Sequence, residues 1–252
     1  MKVSLIDFDN TGFPNLAATI FGGTAFYPNT LDLGKEMEHT CPDYKLYPNM
    51  DYSMGFITRG CIRKCPFCIV PQKEGSIYFS SRIEEFQRHN KVVLMDNNIL
   101  ACKKGVDELY KISKTDTKID VNQGMDFRLV DNAITELLAK LKWIRFIRTA
   151  CDSDSVFEDV KKSVELLGKK GVKPYRIFCY CLVKSKKDAS RISELAKLGV
   201  DVFAMGFMDF NTGYKSKEVI DVCNWCNLKK IFAQCKNYEE YRNQKKRRHL
   251  CK

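Results

Sequence analysis

From about residue 52 onward, short apolar runs alternate with amphipathic stretches in a repeated strand, loop, helix rhythm. Met54 to Thr58 form the first run. Ser81-Arg82-Ile83-Glu84 has the form of a capping box, and Ile83 and Phe86 follow at helical spacing. Val92 to Met95 read as a buried strand ending at Asp96-Asn97-Asn98. Val106, Leu109 and Ile112 mark the next helix, and Ile119 and Val121 precede Asn122-Gln123-Gly124. Asp131 caps a helix striped by Ile134, Leu137, Leu138 and Leu141. Phe146 and Ile147 lie on a strand running to Cys151 and Asp152. Ser155 to Glu158 is a second capping box, before a helix carrying Val156, Val160, Val164 and Leu167 and stopped by Gly168 or Gly171. Ile177 to Val183 is the fifth strand, Ile192, Leu195 and Leu198 mark the fifth helix, and Val200 to Phe207 is the sixth strand. Ser216 caps a last helix with Val219, Ile220, Cys223 and Leu228.

Six strands, each followed by a helix, predict an α/β fold with a parallel sheet and right-handed crossovers. A full eight-stranded barrel takes roughly 250 residues. Six units therefore predict an incomplete parallel (β/α)6 barrel over 51–215. Residues 1–50 are expected to be an N-terminal extension packed on that barrel. Val3 to Phe8 read as a strand, a helix is expected from Asn15, and a loop-rich passage follows at Gly22-Gly23, Pro28, Pro42 and Pro48. Residues 216–252 add a helix and a basic tail.

Composition narrows the class. Hydrophobic residues make up 44% of the chain, enough for a real core, yet no apolar run approaches the ~20 residues of a membrane span. The opening Met1 to Asp7 is too acidic and too short in apolar residues for a secretory signal, so a cytoplasmic protein without membrane contact is expected. Twelve cysteines in such a protein point to metal or free thiols rather than disulfides. A formal net charge of +11 suits an anionic partner such as nucleic acid, although lysines spread along the whole chain are also what a solvated surface looks like.

One stretch carries chemistry. In Gly60-Cys61-Ile62-Arg63-Lys64-Cys65-Pro66-Phe67-Cys68, three cysteines stand at Cys-x3-Cys-x2-Cys spacing. Thiolates this close converge when the backbone curls. Three ligands on a cubane [4Fe–4S] cluster leave one iron open, whereas a structural cluster or zinc site takes four. The alternatives are a zinc knuckle borrowing Cys41 or Cys102, and plain core cysteines, for which Arg63, Lys64 and Pro66 are poor company.

Cys61, Cys65 and Cys68 with Phe67 resemble the signature of the radical S-adenosylmethionine (radical SAM) superfamily. The longer stretch from Arg59 through Cys68-Ile69-Val70-Pro71 to Gly75 resembles the loop of its methylthiotransferase branch. The resemblance implies a [4Fe–4S] cluster on Cys61, Cys65 and Cys68, with the amino and carboxylate groups of SAM on the open iron. An electron from an external flavodoxin- or ferredoxin-like reductant then cleaves SAM to methionine and a 5′-deoxyadenosyl radical, which abstracts a hydrogen atom. It also implies an incomplete barrel with the cluster at the C-terminal rim of the sheet, where strand and motif positions already agree. The branch's own N-terminal cluster cysteines are represented only by Cys41, and nothing after residue 215 reads as its β-rich RNA-binding domain. Residues 1–50 are similar to the opening of a Rossmann-like cobalamin-binding domain, but are far too short for it and lack an Asp-x-His-x-x-Gly motif.

Strand ends supply the candidate SAM contacts. Asp96, Asn97 and Asn98 stand where the superfamily carries a Gly-Gly-Glu-like motif for the SAM amino group, and their oxygens accept from an ammonium. Arg128 is a candidate for the SAM carboxylate, Gln123 or Asp126 for the ribose, and Phe67 for the adenine. Arg148 and Asp152 end the fourth strand and are weaker candidates for the same cavity. All of these are equally the polar residues that cap loops at a sheet rim.

The remaining motifs have plainer readings. Cys223, Cys226 and Cys235, with Cys251 as fourth ligand, give a spacing for an auxiliary centre, but Cys223 lies on an apolar helix stripe, where cysteine packs as a small hydrophobe. Cys179 and Cys181 share one strand face, as packing positions or as a thiol near a radical. The tail from Tyr238 to His249 is basic and suited to phosphates or to solvent. The leading expectation is a radical SAM enzyme acting on a nucleotide or nucleic acid. A peptide or small metabolite is the second substrate class, and a non-catalytic zinc or iron–sulfur nucleic-acid-binding protein is the rival of a different kind.

Overall fold

The computed structural model describes residues 39–208, 213, 215–235 and 237–250, the last five as backbone only. The chain divides into two compact units, Met1–Asp43 and Tyr44–Lys252. The strand expected at Val3 to Phe8 and the helix expected from Asn15 lie outside the described residues. The second unit is α/β, and it holds every candidate residue of the cysteine loop and the strand ends.

Its strands are β1 (Ser53–Gly55), β2 (Thr58–Arg59), β3 (Tyr78–Phe79), β4 (Lys91–Leu94), β5 (Lys118–Val121), β6 (Lys142–Trp143), β7 (Ile147–Ala150), β8 (Ile177–Val183) and β9 (Asp201–Gly206). Its helices are α1 (Val70–Lys73), α2 (Ile83–Phe86), α3 (Lys103–Ile112), α4 (Asn132–Lys140), α5 (Phe157–Lys169), α6 (Ala189–Lys197), α7 (Lys217–Asn227), α8 (Lys229–Gln234) and α9 (Tyr238–Leu250). One parallel sheet runs β1-β4-β5-β6 and a second runs β7-β8-β9, while β2 and β3 pair antiparallel. A parallel bridge between Met125 and Thr149 links the end of β5 to β7, with Met125 N donating to the Arg148 carbonyl at 2.8 Å. Parallel neighbours need crossovers, which the intervening helices supply.

Alternation explains the layering. In β8, Ile177, Cys179 and Cys181 are fully buried, while Phe178 and Tyr180 on the opposite face are half-buried. The buried set joins Leu109 and Ile112 of α3, Leu137 and Leu138 of α4, Val160 and Leu167 of α5, and Val222 and Trp225 of α7 in a single core cluster. Fully burying each such side chain contributes roughly 1.5–3 kcal/mol.

Two helix starts differ from the sequence expectation. α2 begins at Ile83, and Glu85 accepts from Arg82 N, because the Ser81 hydroxyl donates instead to the Phe56 carbonyl. Ser155 likewise does not cap α5; its hydroxyl bonds to that of Ser153. Asp131 and Ser216 do cap α4 and α7, accepting from Ile134 N and Val219 N. The basic tail is helical as α9, with Tyr238, Tyr241 and Lys245 all bonded to Asp221 of α7.

Candidate functional site

Because β4, β5, β7 and β8 are parallel, the loops leaving their C-terminal ends share one edge, and there they meet the cysteine loop. β2 and β3 are the stem of a hairpin, and residues 60–77 are its tip. Gly60 turns the chain out of β2 at φ +77°, where an added Cβ would lie 2.3 Å from the Ser76 carbonyl oxygen. Glu74 fastens the tip: its carboxylate accepts from Gly60 N at 2.8 Å, from Arg59 at 3.2 Å and from Asn97 Nδ2 at 2.8 Å. Cys61 N bonds to the Gly75 carbonyl and Cys68 N to that of Cys65, which curls the three thiols together.

Cys61, Cys65 and Cys68 line one cavity of about 490 Å³ with Phe67, Asn97, Asn98, Gln123, Asp126 and Arg128. Asp152 and Lys184, from the ends of β7 and β8, complete its wall. Burial raises the Cys65 and Cys68 thiols, and the neighbouring cysteines push in the same direction. The Cys61 sulfur accepts from Arg63 N at 3.3 Å and from Asn98 Nδ2 at 3.5 Å. Asn98 is 2% exposed, and its carboxamide oxygen has no hydrogen-bond partner. A buried acceptor left unpaired costs about 1–3 kcal/mol, so the wall beside Cys61 calls for a donor.

Charges in the cavity are unevenly matched. Asp126 accepts from Arg63 Nε at 2.9 Å and from Arg128 Nε at 2.6 Å and its second terminal nitrogen at 3.1 Å. Burial works to raise the Asp126 carboxyl, yet the two guanidiniums hold it below its usual value. Arg128 is thus already bound bidentately. Lys184 sits 5.1 Å from the Phe67 ring centroid and makes no ion pair among the described residues. Burial raises the Asp152 carboxyl, which accepts from Leu182 N at 3.0 Å.

Asp96 is the strand-end candidate that does not reach the cavity. It is fully buried, and it accepts from Ile57 N, Thr58 N and the Thr58 hydroxyl at 3.2, 2.5 and 2.7 Å. Arg148 also points elsewhere, pairing with Asp120 at 2.7 and 2.8 Å and with the Tyr180 hydroxyl at 3.1 Å. Cys179 and Cys181 are sealed in the core with Cys151. Burial holds all three thiols protonated, Cys181 up to about 11 and Cys151 up to about 12. Cys226 and Cys235 are buried in the same core cluster, Cys223 packs half-buried against it, and Cys251 lies outside the described residues.

Glu74 and Lys184 are the site residues the sequence reading passed over. Lys184 carried a usable signal, since it directly follows the apolar run of β8 and so must fall on the rim. Among the described residues, no group of three or more His, Cys, Asp or Glu side chains converges on the position of a single metal ion. A polynuclear cluster, whose thiolates bind different iron atoms, makes no such demand. Comparison of the chain with protein families and with characterised proteins gives no match. No described helix is long and apolar enough to cross a membrane.

Proposed function

We propose that this chain is a radical SAM enzyme, built as an incomplete (β/α)6 barrel with a [4Fe–4S] cluster on Cys61, Cys65 and Cys68 and SAM in the adjoining cavity. The observation that carries the reading is the meeting of these three thiols with the polar ends of parallel strands in one cavity, beside the orphaned acceptor of Asn98. Parallel strands following one another in chain order, with the Met125–Thr149 bridge between the two sheets, are what an open barrel requires.

When bound, the cluster supplies the electron that splits SAM into methionine and a 5′-deoxyadenosyl radical able to take a hydrogen atom from the substrate. The chain's own residues hold and orient. Glu74 keeps the cysteine hairpin closed. The Asn98 oxygen accepts from the SAM ammonium, and its Nδ2 stays on the Cys61 sulfur. Lys184 meets the SAM carboxylate in place of Arg128, which Asp126 occupies. With Asp126 so engaged, Gln123 is left for the ribose hydroxyls, and Phe67 gives the adenine an apolar wall. An external flavodoxin- or ferredoxin-like protein is the reductant, the compartment is the cytoplasm, and the charge of +11 favours a nucleotide or nucleic acid as substrate.

Individual replacement of Cys61, Cys65 and Cys68 by Ala tests the ligand assignment. Each variant, reconstituted without oxygen, is expected to lose its iron; a full iron complement in Cys65→Ala overturns the assignment. In the cluster-loaded wild-type frame, Asn98→Leu is expected to weaken SAM binding roughly ten- to hundred-fold, as loss of a hydrogen bond to a charged group does. Unchanged binding removes Asn98 from the site.

A further inference from the structure

At the opposite edge of the sheets lies a second recess, of about 510 Å³, lined by Lys142 and Trp143 of β6, Ile147 at the start of β7, and Lys173, Tyr175 and Arg176 from the turn before β8. β7 therefore has the recess at its first residue and the cysteine cavity at its last, Ala150. Three cations line the recess and no carboxylate does. Asp116 neutralises Lys142, whereas Lys173 and Arg176 are exposed and unpaired among the described residues. Exposed Lys140, Arg145 and Lys169 flank it in sequence; Arg145 lies over the Phe146 ring, and Lys170 pairs with Glu136. Among these cations Tyr175 is 66% exposed, and Trp143 is half-buried, with its Nε1 donating to the Leu138 carbonyl.

We propose that this recess docks single-stranded nucleic acid, with Lys173 and Arg176 on phosphates and Tyr175 stacked on a base. The unpaired positive charge selects a polyanion. The exposed ring in a concave, charged surround selects one with free π-faces, which a single strand offers and a paired duplex withholds. A lipid surface is matched instead by a projecting amphipathic face, and a recess presents none. This docking site is independent of the radical reading, because it uses neither the cysteines nor their cavity.

The test is fluorescence anisotropy of a labelled single-stranded RNA of mixed sequence with the full-length protein, titrated over salt. Wild type is expected to bind with affinity falling linearly on logarithmic axes. Lys173→Ala with Arg176→Ala is expected to flatten that slope by about 1.4, at ~0.7 per phosphate contact. Lys103→Ala with Lys114→Ala, a charge-matched pair at the first residue of α3 and just past its C-terminal end, is expected to leave the slope unchanged. Tyr175→Ala is expected to weaken binding roughly five- to hundred-fold while Tyr175→Phe retains it, as ring stacking demands. No binding at low salt, equal losses in the two lysine-containing pairs, or an unaffected Tyr175→Ala overturns the proposal. So does binding to phosphatidylserine-containing vesicles that needs Lys173 and Arg176 while RNA is not bound.

Discussion

Asp96 and Asn98 sit two residues apart beyond the end of β4, both with buried side chains, and their surroundings set them different tasks. Asp96 is surrounded by donors, and its carboxylate ties the β1–β2 corner to the end of β4. Burial raises its carboxyl from 3.8 to about 6, against the pull of the Thr58 and Ile57 donors. The folded value lies above the unfolded one. Stability from keeping Asp96 protonated is therefore complete below about pH 3.8 and is lost as pH rises to about 6. Relative to Asp96→Asn, wild type is expected to lose up to about 3 kcal/mol of unfolding free energy across that window, at 1.36 kcal/mol per pH unit. Parallel stability profiles for the two proteins would show that the burial of this charge is not felt. Asn98, by contrast, keeps an unused acceptor, which is a reason to look for a ligand rather than for a structural duty.

At the scale of elements, the β2–β3 hairpin is the device that presents the cysteines, and Glu74 is its lock. Glu74→Gln keeps the shape but turns an amide donor toward one of three existing donors, from Arg59, Gly60 and Asn97. On the proposed reading, a cluster reconstituted in that variant is expected to be held roughly 10–100-fold more weakly, the usual effect of losing support behind a metal ligand. Iron release to a chelator measures it, and release at the wild-type rate would show that Glu74 does not support the loop. The six strands of the repeat were legible because their apolar runs are local, and β8 falls on the run from Ile177 to Val183 that the sequence marks; the two-residue β3 and β6 carry no such run and were not read as strands. The cavity residues were legible for a topological reason: parallel strands bring their C-terminal ends to one edge. Glu74 and Asp96 were not, because each is defined by donors well away in sequence. Ser81 and Ser155 misled because their hydroxyls found tertiary or loop partners in place of helix N–H groups.

For the whole molecule, the eleven cysteines among the described residues separate into populations by burial. Cys151, Cys179, Cys181, Cys226 and Cys235 are buried, while Cys61, Cys65 and Cys68 are partly exposed on the cavity. Burial pushes Cys226 up to about 12, and its thiol donates to the Val202 carbonyl, so it behaves as a core side chain. Replacing Cys223 and Cys226 together by Ala is expected to leave iron content unchanged while lowering thermal stability. A loss of about four irons would instead place a second cluster among the C-terminal helices.

The most direct test of the account is made without oxygen. The protein is reconstituted, its iron and zinc are counted, and it is given SAM and a strong reductant. The account requires about four irons per chain and formation of 5′-deoxyadenosine. One zinc, no iron and intact SAM would contradict it.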